Sequence, residues 1–389
     1  MTIGLTEEQE ILEFIRPAAR EFREVGFEIE RDPGAINHHL DTAGVRSLAY
    51  TFIPEEYGGR PLVTSTGKRL FFLSCSERVL TLEALAYGDA GVLLASPGPS
   101  LSGHILLELG SEEQKQRFYP KLMAKPTWTF FAMTERDRGS DAGALTTALT
   151  KDPSQPHCYL LNGEKYLVGN GARAEIGVVF ARSTPGPLGI EIVLVDTERA
   201  GYSAEVLPTL GLKGAAISRI KFDNYQVDDR DIIGKPQFTP TKRGLWGAIK
   251  TFNRMRPGVA AIALGVAQAT YDYISQNRRE LSEREKDRME GFAFRLLSVR
   301  ASVREAARLA DSDSTNATLA AVAKIRAVEL VEEITNASFT FFGPGAMWEH
   351  PYLNKWYRDA RGFEYMEGTS IIQKLRLFES VSRGKLTHV

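Results

Sequence analysis

Ile176-Gly177-Val178-Val179-Phe180, followed after a glycine- and proline-bearing break by Ile190-Glu191-Ile192-Val193-Leu194-Val195, is the stretch on which the fold turns. Both runs are rich in β-branched residues and too short for helices, so they read as strands. Working outward, Tyr159-Leu160-Leu161 on one side and Ile220 to Phe222 on the other repeat the texture. Glycines, prolines and asparagines separate these runs at the spacing of an antiparallel sandwich or barrel. Beyond them the period changes. Ile11, Phe14, Ile15, Ala18, Ala19 and Phe22 recur at helical spacing, with Thr6 and Gln9 placed to cap the helix they open. Val259 to Ile274, Glu290 to Leu309 and Leu319 to Phe339 form long alanine- and leucine-rich stripes of the kind that pack into bundles. The expectation is an α+β, multi-domain chain: an N-terminal helical domain over 1–125, a middle antiparallel β domain over 126–238, and a C-terminal four-helix bundle over 239–389.

With 389 residues, 43% of them hydrophobic, the chain can bury several packed units. Its 48 basic and 49 acidic residues leave a net charge of -1, which supplies no broad field for nucleic acid or an anionic membrane. Cys75 and Cys158 stand alone, so they read as small core fillers in a reducing compartment, with no metal site. The start lacks the basic-then-apolar order of a signal peptide, and no apolar run approaches a membrane span. A cytoplasmic location, without membrane or nucleic-acid partners, is expected.

Two segments carry chemistry. Phe131-Ala132-Met133-Thr134-Glu135-Arg136-Asp137-Arg138-Gly139-Ser140-Asp141 joins helix to strand. One reading is a strand ending in a polar turn. The other is a loop whose N–H groups and Thr134 and Ser140 hydroxyls bond the edge of a planar heterocycle and a neighbouring phosphate or carbonyl. The second segment is Glu364-Tyr365-Met366-Glu367-Gly368-Thr369-Ser370. Here Glu367 is either a reactive carboxylate or a cap for the last helix, with Gly368 as a turn residue.

Leu5-Thr6-Glu7-Glu8-Gln9, Pro54-Glu55-Glu56-Tyr57-Gly58-Gly59, Gly110-Ser111-Glu112-Glu113-Gln114-Lys115, Thr134-Glu135 with Gly139-Ser140-Asp141, and Leu161-Asn162-Gly163-Glu164-Lys165 follow one another along the chain. Leu210-Gly211-Leu212-Lys213-Gly214, Ala263 to Gln268, Arg358-Asp359-Ala360-Arg361 and Glu367-Gly368-Thr369-Ser370 come after them. Singly these are weak signals; in this order they resemble the acyl-CoA dehydrogenase family over essentially the whole chain. The resemblance implies FAD, an acyl thioester substrate of coenzyme A or an acyl carrier protein, an electron-accepting flavoprotein or oxygen, and a homodimer or homotetramer. It implies that Glu367 is the base that removes the substrate's α-proton. A minority of relatives place the base at the position of Met255, which cannot accept a proton. It further implies flavin contacts from Phe131, Met133, Thr134, Gly139, Ser140, Leu167, Val168, Gly169, Thr369 and Ser370, and substrate contacts from Ser140, Asn253, Arg256 and Gly368. A plainer reading of Arg256 has it opening a helix and pairing with a surface carboxylate.

The chain departs from the family at several points. Leu167 and Gly169 stand where a tryptophan and a threonine are usual beside the flavin. Arg136, Asp137 and Arg138 replace a proline-glycine-alanine stretch, and are expected to face solvent. The run from Arg278 to Arg288 lacks the usual Gln-Phe-Gly and is expected to be a solvated connection or helix end. Phe342 adds bulk where relatives have glycine. These changes point to a specialised dehydrogenase, of the kind acting on carrier-bound groups in natural-product pathways. Two competitors remain: a flavin-dependent monooxygenase on the same fold, and a non-catalytic flavin-binding relative.

Overall fold

The computed structural model describes residues 5–382 except Pro236 and Asn316. Helices α1 (Leu5–Arg31), α2 (Ala43–Thr51), α3 (Cys75–Ala95), α4 (Ser100–Leu109) and α5 (Glu112–Ala124) come first, with a two-strand hairpin, β1 (Leu62–Val63) and β2 (Arg69–Leu70), between α2 and α3. The main sheet comprises β3 (Thr129–Ala132), β4 (Ala148–Lys151), β5 (Cys158–Val168), β6 (Ile176–Arg182), β7 (Ile190–Asp196), β8 (Tyr202–Val206) and β9 (Ser218–Asp228). Then come α6 (Gly244–Asn277), α7 (Glu283–Ser312), α8 (Thr318–Phe342), the short α9 (Ala346–Glu349), α10 (Pro351–Ala360) and α11 (Ser370–Ser382).

The strand order is β3-β6-β4-β5-β9-β8, with β7 paired to β6. β6 is the pivot. Val179, Val193 and Val195 of β6 and β7 join one hydrophobic cluster, whereas Val178, Phe180, Ile192 and Leu194 join another. Both faces of this pair are buried, which is why the two runs read as continuous apolar stretches without alternation. The sheet is not wholly antiparallel: β3 runs parallel to β6, with Thr129 opposite Ile176. Two strands intervene in sequence between them, enough chain for the crossover a parallel pair requires.

The first and last helical regions share one core, with Ile11 and Phe22 of α1, Val79 of α3, Leu264 of α6, Val303 of α7 and Leu330 of α8 in the same cluster. Phe14 lies at its exposed rim. Thr6 is not the cap of α1, because the helix already includes Leu5. Cys75 is buried, but Cys158 opens β5 only half-buried. The connection after Arg278 leads into α7 through a capping box between Ser282 and Glu285.

A break in α3 and a proline within α6 shape the interior. In α3 the backbone at Asp89 is extended, and its Oδ1 accepts from the Val92 N–H at 2.9 Å, capping the resumed helix. Its Oδ2 lies 2.8 Å from Lys355 Nζ, which is also 2.7 Å from Asp359 Oδ2. Asp359 Oδ1 in turn accepts from the Leu212 N–H at 2.6 Å. This triad ties α3, α10 and the Leu210–Gly214 segment together. Only glycine fits at 211, where a Cβ would stand 2.3 Å from the Arg358 carbonyl oxygen. In α6, Pro257 lies inside the helix and cannot donate to the Asn253 carbonyl. The next carbonyl, Arg254 O, receives Cys75 Sγ at 3.2 Å and Arg78 Nη2 at 2.7 Å, which accounts for a fully buried arginine at 78.

Candidate active site

The turn between α10 and α11 presents Glu367. Its φ is +54 and that of Gly368 is +90, so two successive residues occupy the left-handed region. A side chain there is strained, and such strain persists where surrounding contacts impose it. Those contacts are visible. The Glu367 carbonyl accepts from Gln373 Nε2 at 3.0 Å and from Arg256 Nε at 3.3 Å. Asn253 Oδ1 accepts from Arg256 Nη1 at 3.3 Å, and Asn253 Nδ2 donates to the Ser314 carbonyl. Arg256 is therefore in mid-helix, 2% exposed, and bound to the turn; it neither opens a helix nor pairs with a surface carboxylate.

The start of α11 is capped by other residues: Thr369 precedes it with its hydroxyl accepting from the Ile372 N–H, and a different glutamate supports the first turn. Glu364 accepts from the Ser370 N–H at 2.7 Å and from the Ser370 hydroxyl at 2.6 Å. The carboxylate of Glu367 is thus released from helix capping, and its Oε2 is buried with no hydrogen-bond partner. Burial pushes this carboxyl up to about 7, against the opposing pull of Arg256 and Lys324. An acid on a half-buried residue whose Oε2 lacks a partner, poised near neutrality, is costly to keep and chemically useful. Gly368→Ala is expected to cost about 1–3 kcal/mol, because its Cβ would meet Gln373 Nε2 at 2.5 Å. Urea denaturation measures that cost, and turnover should fall more than flavin affinity.

The second surface lies where β3 and β5 end. Lys165 Nζ donates to the Met133 carbonyl at 3.0 Å and to Glu135 Oε1 at 2.9 Å, and the Tyr166 N–H donates to the Thr134 carbonyl at 2.8 Å. Glu135 also accepts from the N–H and hydroxyl groups of Thr146 and Thr147. Burial alone would raise the Glu135 carboxyl; Lys165 and the threonine hydroxyls outweigh it and hold it down to about 2. Burial lowers Lys165 to about 8 against the pull of Glu135, so the pair stays ionised at neutral pH. The clamp fixes Met133, Thr134 and Glu135 by their carbonyls and carboxylate. Gly139 and Ser140 are exposed beyond it, as are Arg136, Asp137 and Arg138; Arg136 stacks over the Tyr166 ring at 5.2 Å.

Alongside, Leu167 is 49% exposed with φ +59, Val168 is buried, and a Cβ at Gly169 would meet nothing within 4 Å. Asn170 Nδ2 donates to the Leu94 carbonyl at 3.1 Å, holding this strand end against α3. An open apolar strip beside hydroxyls and exposed loop N–H groups matches the donor and stacking needs of a flat heterocycle such as a flavin. The two surfaces are joined by α6. Phe252 packs edge-on against Phe131 with centroids 5.8 Å apart, one turn before Arg256 reaches Glu367. Thr369 immediately precedes α11 beside this turn, its hydroxyl accepting from the Ile372 N–H at 3.4 Å.

Several supporting residues escape a reading of the sequence: Phe252, Gln373, the capping part of Glu364, and Lys324. Lys324 has 0% exposure and donates to the Glu364 carbonyl at 2.9 Å. Its signal was its place among Ala320, Ala323, Ala327 and Val328, the core face of α8.

The strained Glu367 turn and the open strip at Leu167–Gly169 sit on a helical–β–helical frame. Residues 7–126, 130–225 and 242–382 match the family models described as the N-terminal, middle and C-terminal domains of acyl-CoA dehydrogenase. An acyl-CoA dehydrogenase of Bacillus subtilis is 30% identical, covering 83% of this chain and 84% of its own length. The acryloyl-CoA reductase (NADH) of Anaerotignum propionicum is 29% identical, covering 98% and 96%. Among solved structures, a glutaryl-coenzyme A dehydrogenase in complex with glutaryl-CoA superposes with a TM-score of 0.84 at 23% identity, covering 98% of this chain and 97% of that one. The chain belongs to the acyl-CoA dehydrogenase family.

Proposed function

We propose that the protein exchanges two hydrogens with an acyl thioester, Glu367 handling the proton at the α-carbon while FAD, when bound, supplies the acceptor for the β-hydride. The observation that carries this reading is the Glu367 carboxylate itself: its Oε2 is buried without a partner, and the carboxyl is raised to about 7. A thioester α-C–H is a very weak acid, so its base must be desolvated and close by. Arg256 and Gln373 hold the Glu367 carbonyl, which fixes the direction of its side chain without neutralising it. The adjoining N–H groups of the turn are suited to receive the thioester carbonyl as negative charge develops there. Residues Met133, Thr134, Gly139, Ser140 and Leu167 to Gly169 would hold the flavin, with Thr369 and Ser370 at its other side. Asn253 and Arg256, inside α6, support the substrate through the turn.

An acid near neutrality can take a proton in dehydrogenation or return one in reduction, so the residue serves either direction. For dehydrogenation the active form is the carboxylate. Its rate is therefore expected to rise with pH, to be half-maximal near 7, and to level off above. Exposed Ile371, Leu375 and Phe378 on one side of α11, at 69%, 54% and 71%, support self-association of the chain.

The deciding experiment is an anaerobic screen of flavin bleaching with matched coenzyme A and carrier-protein thioesters, repeated across pH. Bleaching by one carrier class with a midpoint near pH 7 supports the reading and names the carrier. Bleaching that needs an added flavin reductase and then consumes oxygen would favour a monooxygenase. A yellow protein that no thioester bleaches would favour a binding role.

A further inference from the structure

Lys324 is fully buried on α8, yet its nearest acceptor is a backbone carbonyl and not a carboxylate: Nζ is 2.9 Å from Glu364 O and 3.5 Å from Glu364 Oε2. Burying an ammonium group costs several kcal/mol unless it is well paired. Here the charge is used to hold one point of the main chain. That point opens the turn bearing Glu367. Glu364 closes the turn from the other end by accepting from Ser370 N and Oγ. Between these anchors sit the left-handed Glu367 and Gly368, with the Glu367 carbonyl fastened to Gln373 and Arg256. The Glu367 carboxylate oxygen Oε2 is left with no partner.

We infer that Lys324 is a positioning residue for Glu367: it fixes the start of the Glu364–Ser370 turn so that the strained glutamate faces inward, and its charge steadies the ionised form. The inference rests on the reading of Glu367 as the proton-handling group. The charged groups acting on Glu367 are Arg256 from α6 and Lys324 from α8; Glu364 of the same turn acts on Lys324, and Arg376 of α11 acts on Arg256. Lys324 and Arg256 both favour the carboxylate, so each opposes the effect of burial. Lys324 differs in reaching the turn through Glu364, where Arg256 reaches it through the Glu367 carbonyl.

The test reads the proton on Glu367 directly. Holoenzyme labelled with ¹³C-carboxyl glutamate is titrated by NMR, and the Glu367 signal is the one absent from Glu367→Gln. In Lys324→Met, which removes charge and donor but keeps the length of the side chain, the midpoint is expected to move up by about one pH unit. Lys324→Arg retains the charge and is expected to titrate close to the unaltered protein. Glu364→Gln, which keeps the carbonyl and frees the lysine's charge from its carboxylate, is expected to move the midpoint down. It serves as the deciding variant if Lys324→Met does not fold. Turnover with the best thioester should fall in Lys324→Met by more than KM changes, because loosening the turn misplaces the Glu367 carboxylate. A Glu367 midpoint unmoved in Lys324→Met, or, where that variant does not fold, unmoved in Glu364→Gln, overturns the assignment of Lys324. If Glu367→Gln itself reduces flavin normally, the fault lies in the reading of the base and not in this inference.

Discussion

Replacing Glu367 by glutamine is expected to slow flavin reduction by an acyl thioester about 10³-fold, within the range usual for a positioned general base. The yellow, folded protein should otherwise survive. The substitution keeps the size of the side chain, and the anchors of the turn are untouched, since they hold the Glu367 carbonyl and not its carboxylate. Stopped-flow bleaching under argon measures the loss. The same substitution should affect stability in a pH-dependent way. The carboxyl is raised from the ordinary 4.5 to about 7, so between those values the folded chain keeps a proton that the unfolded chain has released. Stability therefore falls as pH rises through that window. Glu367→Gln removes this loss and should raise stability at pH 8 by about 1–3 kcal/mol, with little effect at pH 4. A more stable but inactive variant is the usual sign of a residue kept for chemistry at the expense of folding.

Lys355→Met is expected to destabilise the protein by about 3–5 kcal/mol, the cost of leaving buried charge uncompensated. Asp89 and Asp359 are each 1% exposed, and Lys355 is the cation both of them contact. Burial already raises Asp89, and loss of the ammonium group would raise it further. The deficit should therefore shrink toward pH 5, where Asp89 takes up a proton more readily, and widen toward pH 8. Urea denaturation at the two pH values checks this. Faster hydrogen exchange at the Leu212 amide is expected as well, since its acceptor is Asp359 Oδ1. A variant as stable as the parent would mean that the triad is held by its surroundings and not by its charges.

How far the sequence could be read follows from these particulars. The β runs were legible because both faces of β6 and β7 are buried, and the long helices because their stripes face one shared core. The parallel pairing of β3 with β6 was not legible, since strand direction is set by the crossover and not by the residues in the strand. In the site, Glu367 stood out in the sequence; its competing reading as a helix cap gives way to Thr369, whose hydroxyl accepts from the Ile372 N–H, and to Glu364, which accepts from Ser370. Arg256 was picked out, though not its bond to the Glu367 carbonyl, which joins residues 111 apart in sequence. Lys324 was missed because a lysine in an alanine-rich helix ordinarily lies toward water. At Gly169 the space is open, since a Cβ there would meet nothing within 4 Å.

The central claim is that Glu367 moves the α-proton. It is tested most directly by exchange in D₂O, using a saturated acyl thioester whose β-position carries no hydrogen, so that hydride transfer cannot follow. The account predicts deuterium at the α-carbon with the unaltered holoenzyme, at a rate rising through pH 7, and none above background with Glu367→Gln. Equal incorporation by both proteins would contradict it.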